Sequence, residues 1–197
     1  MADMASRKSL LRKRTLALRE QLPKATHDLH SRVIVDRLAT MPAYRQADVV
    51  LAYMNFGAEF DSRLWVRQIL ADGKRLVLPK VNRHTNELDL YWVDDLESQL
   101  ASGLWGILEP VPERCERLID LNEVEFATLP GVAFARNGAR LGYGGGYYDK
   151  LLARFVSRPT LVAAAFALQV VQDVPQEATD VKVDWIVTEQ ETIACLV

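Results

Sequence analysis

Cysteine is almost missing: Cys115 and Cys195 are the only two in 197 residues. They lie far apart, with no CxxC partner and no neighbouring histidine, so the sequence offers neither a disulfide framework nor a zinc pattern. The three histidines, His27, His30 and His84, lack metal-ligand spacing and read as surface or structural residues. No apolar run approaches the roughly 20 residues that span a bilayer; Leu161 to Leu168 stops well short. No secretory h-region opens the chain. An organellar transit peptide fits poorly, because such peptides avoid acidic residues and this segment carries Asp3 and Glu20. Internal repeats, low-complexity tracts and flexible linkers are absent too. These absences point to a reducing cytoplasm and away from a membrane.

What is present is ordinary for a globular protein: 49% hydrophobic, 25% charged, formal charge −2. The length suits one domain over residues 1–197 with one core. The charge is uneven, however. Residues 1–24 carry Arg7, Lys8, Arg12, Lys13, Arg14, Arg19 and Lys24 against Asp3 and Glu20. A basic helix of this kind reaches nucleic acid, an anionic membrane or the phosphates of a small ligand, or it is simply solvated surface.

Ser6 reads as the cap of that helix, about 6–22, with Leu11, Leu18 and Leu22 inward and Lys8 and Arg12 sharing a face. Thr26 or Asp28 opens a second helix, with Leu29, Val33 and Leu38 inward, that stops before Pro42. Val49 to Tyr53 reads as a buried strand. A turn at Asn55 to Glu59 follows, then a helix capped by Asp61 or Ser62 and ended by Gly73, then a returning strand from Arg75. Strand, helix, glycine, strand is a βαβ signature. Leu88 to Val93 reads as an edge or hairpin strand, and 94–123 as a long connection packed by Trp105. Lys80 follows a strand and leans toward a phosphate or a substrate's acidic tail. Further strands at Phe126, Leu161 to Ala167 and Trp185 to Thr188 give an α/β chain, a mostly parallel sheet with helices on both faces.

The chemistry concentrates at Arg140-Leu141-Gly142-Tyr143-Gly144-Gly145-Gly146-Tyr147-Tyr148-Asp149-Lys150. Glycines let backbone N–H groups converge without interference from a Cβ, and a following helix adds partial positive charge, so phosphate is the natural occupant, with Arg140 and Lys150 to neutralise it. The string is neither a Walker A sequence nor a dinucleotide fingerprint. A tight strand-to-helix connection needs glycines as well. Asp149 in the first helical turn either favours the helix dipole or holds Mg²⁺, which takes only one or two protein carboxylates when phosphates complete its shell. Asp184 is a possible second ligand.

The string RLGYGGGYYDKLL, with LPGVAF upstream, DVKVDWIVTE downstream, KSLLR at Lys8 to Arg12, Glu59 after the first strand, LPKV at Leu78 to Val81 and the GILEP segment, resembles the 5-formyltetrahydrofolate cyclo-ligase family. The likeness covers nearly the whole chain. It implies a three-layer αβα sandwich and conversion of 5-formyltetrahydrofolate to 5,10-methenyltetrahydrofolate, with ATP and Mg²⁺ required. By that resemblance Lys8 and Arg12 reach the ATP phosphates, and Arg140 with Leu141, Gly142, Tyr143, Gly144, Gly145, Gly146, Tyr147 and Tyr148 holds nucleotide. Arg140 and Tyr148 serve the chemistry, and Asp149 and Asp184 ligate magnesium. Folate meets Tyr53, Met54, Glu59, the loop from Tyr143 to Tyr147, and Trp105 as a cover for the flat pterin. The expected partner is a small folate, with or without a polyglutamate tail, bound by a monomer with no nucleic acid. An ATP-independent phosphosugar isomerase or acyl-CoA transferase of similar architecture, or an RNA- or nucleotide-binding protein, remains the alternative, since fold does not fix function.

Overall fold

The computed structural model describes residues 3–177 and 180–195. Helix α1 (Met4–Glu20) starts earlier than expected, because Asp3 rather than Ser6 is its cap and accepts the Ser6 N–H at 2.7 Å. Helix α2 (Lys24–Thr40) begins directly after Pro23 with no side-chain cap, so neither Thr26 nor Asp28 opens it. It buries Ser31, Ile34, Val35 and Leu38 and leaves Leu29 exposed. The short α3 (Pro42–Gln46) leads to β1 (Val49–Leu51). Helix α4 (Ser62–Ala71) is capped by Asp61, which accepts from the Arg63 N–H. It ends at Gly73, whose φ of 72° few other residues adopt readily.

Strands β2 (Arg75–Asn82) and β3 (Glu87–Val93) form an antiparallel hairpin, so the expected edge strand and hairpin strand are one and the same. The segment 94–123 is more structured than a loop. Helix α5 (Leu96–Gln99) leads into β4 (Leu100–Ser102), which pairs with β5 (Leu108–Pro110) around a turn at Leu104–Gly106. Trp105 does not pack this segment; it is 62% exposed at the tip, with φ 56°. Then come β6 (Phe126–Leu129), β7 (Ala133–Ala135), β8 (Arg140–Leu141), α6 (Tyr147–Leu152), β9 (Thr160–Ala164), β10 (Val170–Val171), β11 (Trp185–Val187) and β12 (Thr192–Ala194).

The seven-stranded sheet runs β12-β11-β9-β6-β1-β2-β3, with the central five strands parallel and both edges antiparallel. Parallel strands are buried on both faces, and side chains alternate along them. Val50, Leu76, Phe126 and Val162 accordingly join the core under α2, α3 and α4. Val49, Leu51, Val77, Ala127 and Leu161 join the opposite core with Leu151 and Leu152 of α6. This is the three-layer αβα arrangement with a mostly parallel centre. A second sheet, β10-β7-β8, stands beside it and receives Leu11 of α1.

Helix α1 presents the expected apolar face only in part: Leu11, and Leu22 just beyond its end, pack, partly buried, against the cores. Its buried residues are Thr15 and Arg19, while Leu18 is 43% exposed. The small sheet it covers takes Leu11, and the polar glycine-rich loop beside it meets Arg12 and Arg19.

Candidate functional site

The parallel strands deliver their C-terminal ends to one edge, where open α/β sheets bind ligands. Two chain segments meet there: the turn after β1 and the loop between β8 and α6.

Arg140 opens β8 and is 7% exposed. Its guanidinium donates to the Pro130 carbonyl at 3.4 Å, just beyond β6, and to Asp149 Oδ1 at 2.8 Å in the first turn of α6. Its Nε is buried without a hydrogen-bond partner. Tyr148 stacks near it, 6.0 Å from ring centre to guanidinium carbon. The loop then runs exposed from Tyr143 to Gly146, with positive φ at Gly144 (105°) and Gly146 (66°). Tyr147 folds back over Gly145, where a Cβ would lie 2.7 Å from the ring. Helix α6 has only six residues, so its dipole contributes little. Lys150 points away, donating to the Asn86 carbonyl at 3.1 Å.

Helix α1 closes over this loop. Arg12 Nε donates to the Gly142 carbonyl at 2.7 Å, and its guanidinium sits 3.7 Å from where a Gly144 Cβ would stand. Lys8 pairs with Asp180 at 2.9 Å and Glu177 at 3.4 Å. Burial alone would lower the Lys8 ammonium, but the two carboxylates outweigh it and raise it. Asp180 is also partly desolvated, yet Lys8, the Glu177 N–H and Arg140 hold it below the usual carboxylate range. Val181, its neighbour, donates its N–H to Asp149 Oδ1 at 3.4 Å. Asp149 and the Asp180 segment therefore lie side by side, flanked by Lys8 and Arg140.

Asp184 is not part of this group. It sits just before β11, at the edge where the parallel strands begin, with Oδ2 accepting the Leu161 N–H at 2.8 Å and Oδ1 pairing with Arg158 at 2.9 Å. Both oxygens are committed to holding β9 and β11 in register. Asp180, four residues earlier, occupies the position expected of Asp184. Among the described residues no three His, Cys, Asp or Glu side chains cluster as a metal cage. Two carboxylates suffice for magnesium held mainly by phosphate and water, so Asp149 and Asp180 fit that donor set. Asp184→Ala is expected to cost about 1–3 kcal/mol by chemical denaturation, from the lost Leu161 hydrogen bond and Arg158 ion pair, while leaving any magnesium dependence of activity unchanged.

Glu59 anchors the second half of the site. It is 4% exposed; Oε2 accepts the Phe56 N–H at 2.7 Å and Oε1 accepts the Tyr143 hydroxyl at 2.8 Å. That hydroxyl in turn accepts from Arg19 at 2.8 Å. Burial raises the Glu59 carboxyl above its ordinary value, opposed by the Phe56 N–H, Arg19 and Tyr143. Burial, with Glu59 nearby, likewise raises the hydroxyls of Tyr53 and Tyr148. His27 Nε2 meets the Glu59 carbonyl at 2.8 Å, so this histidine is structural. Met54 lines a cavity of about 200 Å³ with Arg63, Arg67 and Leu108. Leu108 belongs to the hairpin that carries Trp105, so that hairpin borders the Met54 side. Lys80 pairs with Glu109 at 3.5 Å.

The loop thus gathers Lys8, Arg12, Arg140, Asp149, Tyr143, Tyr148, Glu59 and Tyr53. Sequence reasoning missed Arg19 and Asp180. The signal for Arg19 was present: on an α-helix, spacings of four and eleven residues bring Lys8, Arg12 and Arg19 within about 40° of one face.

A sequence profile of the 5-formyltetrahydrofolate cyclo-ligase family matches residues 4–189. A probable 5-formyltetrahydrofolate cyclo-ligase of Caenorhabditis elegans is 24% identical over 201 residues, covering 98% of either chain. The 5-formyltetrahydrofolate cyclo-ligase of Haemophilus influenzae is 29% identical over 138 residues, 70% of this chain and 73% of that one. The solution structure of the 5,10-methenyltetrahydrofolate synthetase of Aquifex aeolicus superposes with a TM-score of 0.83 at 36% identity, covering 95% of this chain and 92% of that one. With a glycine-rich loop closed by inward-facing cations and a family match along nearly its whole length, this chain belongs to the 5-formyltetrahydrofolate cyclo-ligase family of ligase-type enzymes.

Proposed function

We propose that the protein converts 5-formyltetrahydrofolate to 5,10-methenyltetrahydrofolate with consumption of ATP in the presence of Mg²⁺. The observation that carries this reading is the pair of ion pairs beside the glycine loop, Lys8 with Asp180 and Arg140 with Asp149. Each pair is a cation fit for phosphate and a carboxylate fit for magnesium, each neutralising the other.

A formamide oxygen is a poor leaving group, so ring closure by N10 of the folate needs that oxygen activated. ATP supplies the phosphoryl group: the formyl oxygen takes it, ADP departs, N10 attacks the formyl carbon and loses its proton, and phosphate leaves carrying the oxygen. Such chemistry asks the protein for positioning and charge neutralisation more than for a nucleophile. Lys8 and Arg12 neutralise the nucleotide phosphates. The backbone from Leu141 to Tyr147 cradles them, with Gly144 and Gly146 providing conformations that keep Cβ atoms away. Arg140, with its unpartnered Nε, offers charge where the transferring group passes, beside Tyr148. Asp149 and Asp180 hold magnesium, whose role is to neutralise phosphate oxygens. Glu59 orients the polar edge of the pterin between Tyr53 and Tyr143, with Met54 and the Trp105 hairpin on the outer side. Lys8 turns to Asp180 while Arg12 and Arg19 turn to the glycine-rich loop, which leaves the small-ligand reading of the basic helix better supported than a nucleic-acid or membrane one. No helix among the described residues is long and apolar enough to cross a membrane.

The test mixes purified protein, 5-formyltetrahydrofolate, ATP and Mg²⁺ and follows the near-ultraviolet absorbance of the methenyl product. Product that depends on both ATP and Mg²⁺ is expected. Folded protein giving none, or giving product without ATP, overturns the reading.

A further inference from the structure

Arg19 is 3% exposed, and two of its three guanidinium nitrogens are buried without hydrogen-bond partners. A buried cation in that state is costly, and an apolar chain of similar length would fill the space more cheaply. Its single hydrogen bond goes to the Tyr143 hydroxyl, over whose ring the guanidinium also lies at 5.8 Å. Tyr143 donates its own hydroxyl hydrogen to Glu59. Three elements distant in sequence, α1, the turn after β1 and the glycine loop, are thereby joined in one line ending on a carboxyl that faces the proposed folate site.

We propose that Arg19 is a positioning residue: acting through the Tyr143 hydroxyl, it holds the Glu59 carboxyl oriented and free of its proton, as an acceptor for the substrate's N–H groups. The groups facing Glu59 come from every element packed on it. They are Arg19 of α1, His27 of α2 at the Glu59 carbonyl, Tyr53 beyond β1, Tyr143 of the loop and Tyr148 of α6. Of these, Arg19 alone carries a permanent positive charge, and burial otherwise favours the protonated carboxyl. A neutral Glu59 would keep its hydrogen bonds yet present a donor where the pterin edge presents donors of its own.

The consequence for folate rests on the function proposed above; the relay itself is tested without ligand. The Glu59 carboxyl carbon is titrated by NMR in wild type, Arg19→Met, Arg19→Lys and Tyr143→Phe, each checked for a cooperative melt. Arg19→Met and Tyr143→Phe are both expected to tighten proton binding at Glu59 by roughly threefold to tenfold, and Arg19→Lys to recover most of the wild-type value. An unchanged midpoint in Arg19→Met overturns the proposal. So does a shift in Arg19→Met without one in Tyr143→Phe, which would mean that the hydroxyl transmits nothing. If Arg19→Met does not fold, Tyr143→Phe decides alone. Equilibrium folate binding across pH then separates the two claims: the variants are expected to lose affinity on the acid side and regain it on the basic side, whereas a wild type that binds no folate overturns the proposed function and not the relay.

Discussion

Asp149→Asn is expected to lower ATP-dependent turnover by about a hundredfold or more, the size typical of losing one electrostatic contact that acts on developing charge. Asparagine keeps the shape and can still accept from Arg140, so the loop geometry of 2.8 Å contact is preserved and the lost quantity is charge. The signature is therefore a rise in the Mg²⁺ concentration needed for half-maximal activity, with the melting temperature little changed. Asp180→Asn should behave the same way, since the two residues lie beside each other across the Val181 N–H. If Asp149→Asn retained wild-type activity and magnesium dependence, the carboxylate would be only the structural partner of Arg140.

Glu59→Gln is expected to raise the KM for 5-formyltetrahydrofolate by about thirtyfold to a hundredfold, the 2–3 kcal/mol that a buried charged hydrogen-bond partner is worth, with a smaller effect on the KM for ATP. Glutamine can keep its carbonyl oxygen as acceptor for the Phe56 N–H and turn its NH2 to donate to the Tyr143 hydroxyl, reversing that bond, so the turn from Asn55 to Glu59 should remain folded. That distinction matters because Glu59 also staples its own turn. Were this its whole role, the Glu59→Gln variant would bind folate as well as wild type. Steady-state kinetics with each substrate varied in turn decides the matter.

Much of the fold was legible because the physics that creates it is local or periodic. Val49 to Leu51 and Leu161 to Ala164 are continuous apolar runs, which only strands buried on both faces require. Gly73 and the Asp61 cap announce the ends of α4. The small sheet β10-β7-β8 and the edge strand β12 were not legible, since strands of two or three residues leave no periodicity to read. Trp105 misled for another reason: an aromatic in a long connection normally packs it, but here a turn with positive φ carries the ring outward.

The glycine-rich loop, Arg140 and Asp149 stood out by composition and order alone, because a phosphate cradle needs glycines and charges within a few residues of one another. Glu59 entered only through the family resemblance, since a lone carboxylate after a strand carries no signal of its own. What spacing could not decide was which distant residue joins them. Asp180 and Asp184 are equivalent on paper. Only the direction of β11 and the hydrogen bonds of Leu161 place Asp184 at the far edge and leave Asp180 beside Lys8. The inward face of α1 was likewise undecided by its leucines. The neighbour at that face is a polar loop whose Tyr143 hydroxyl accepts one hydrogen bond from Arg19, so Arg19 goes in and Leu18 stays out.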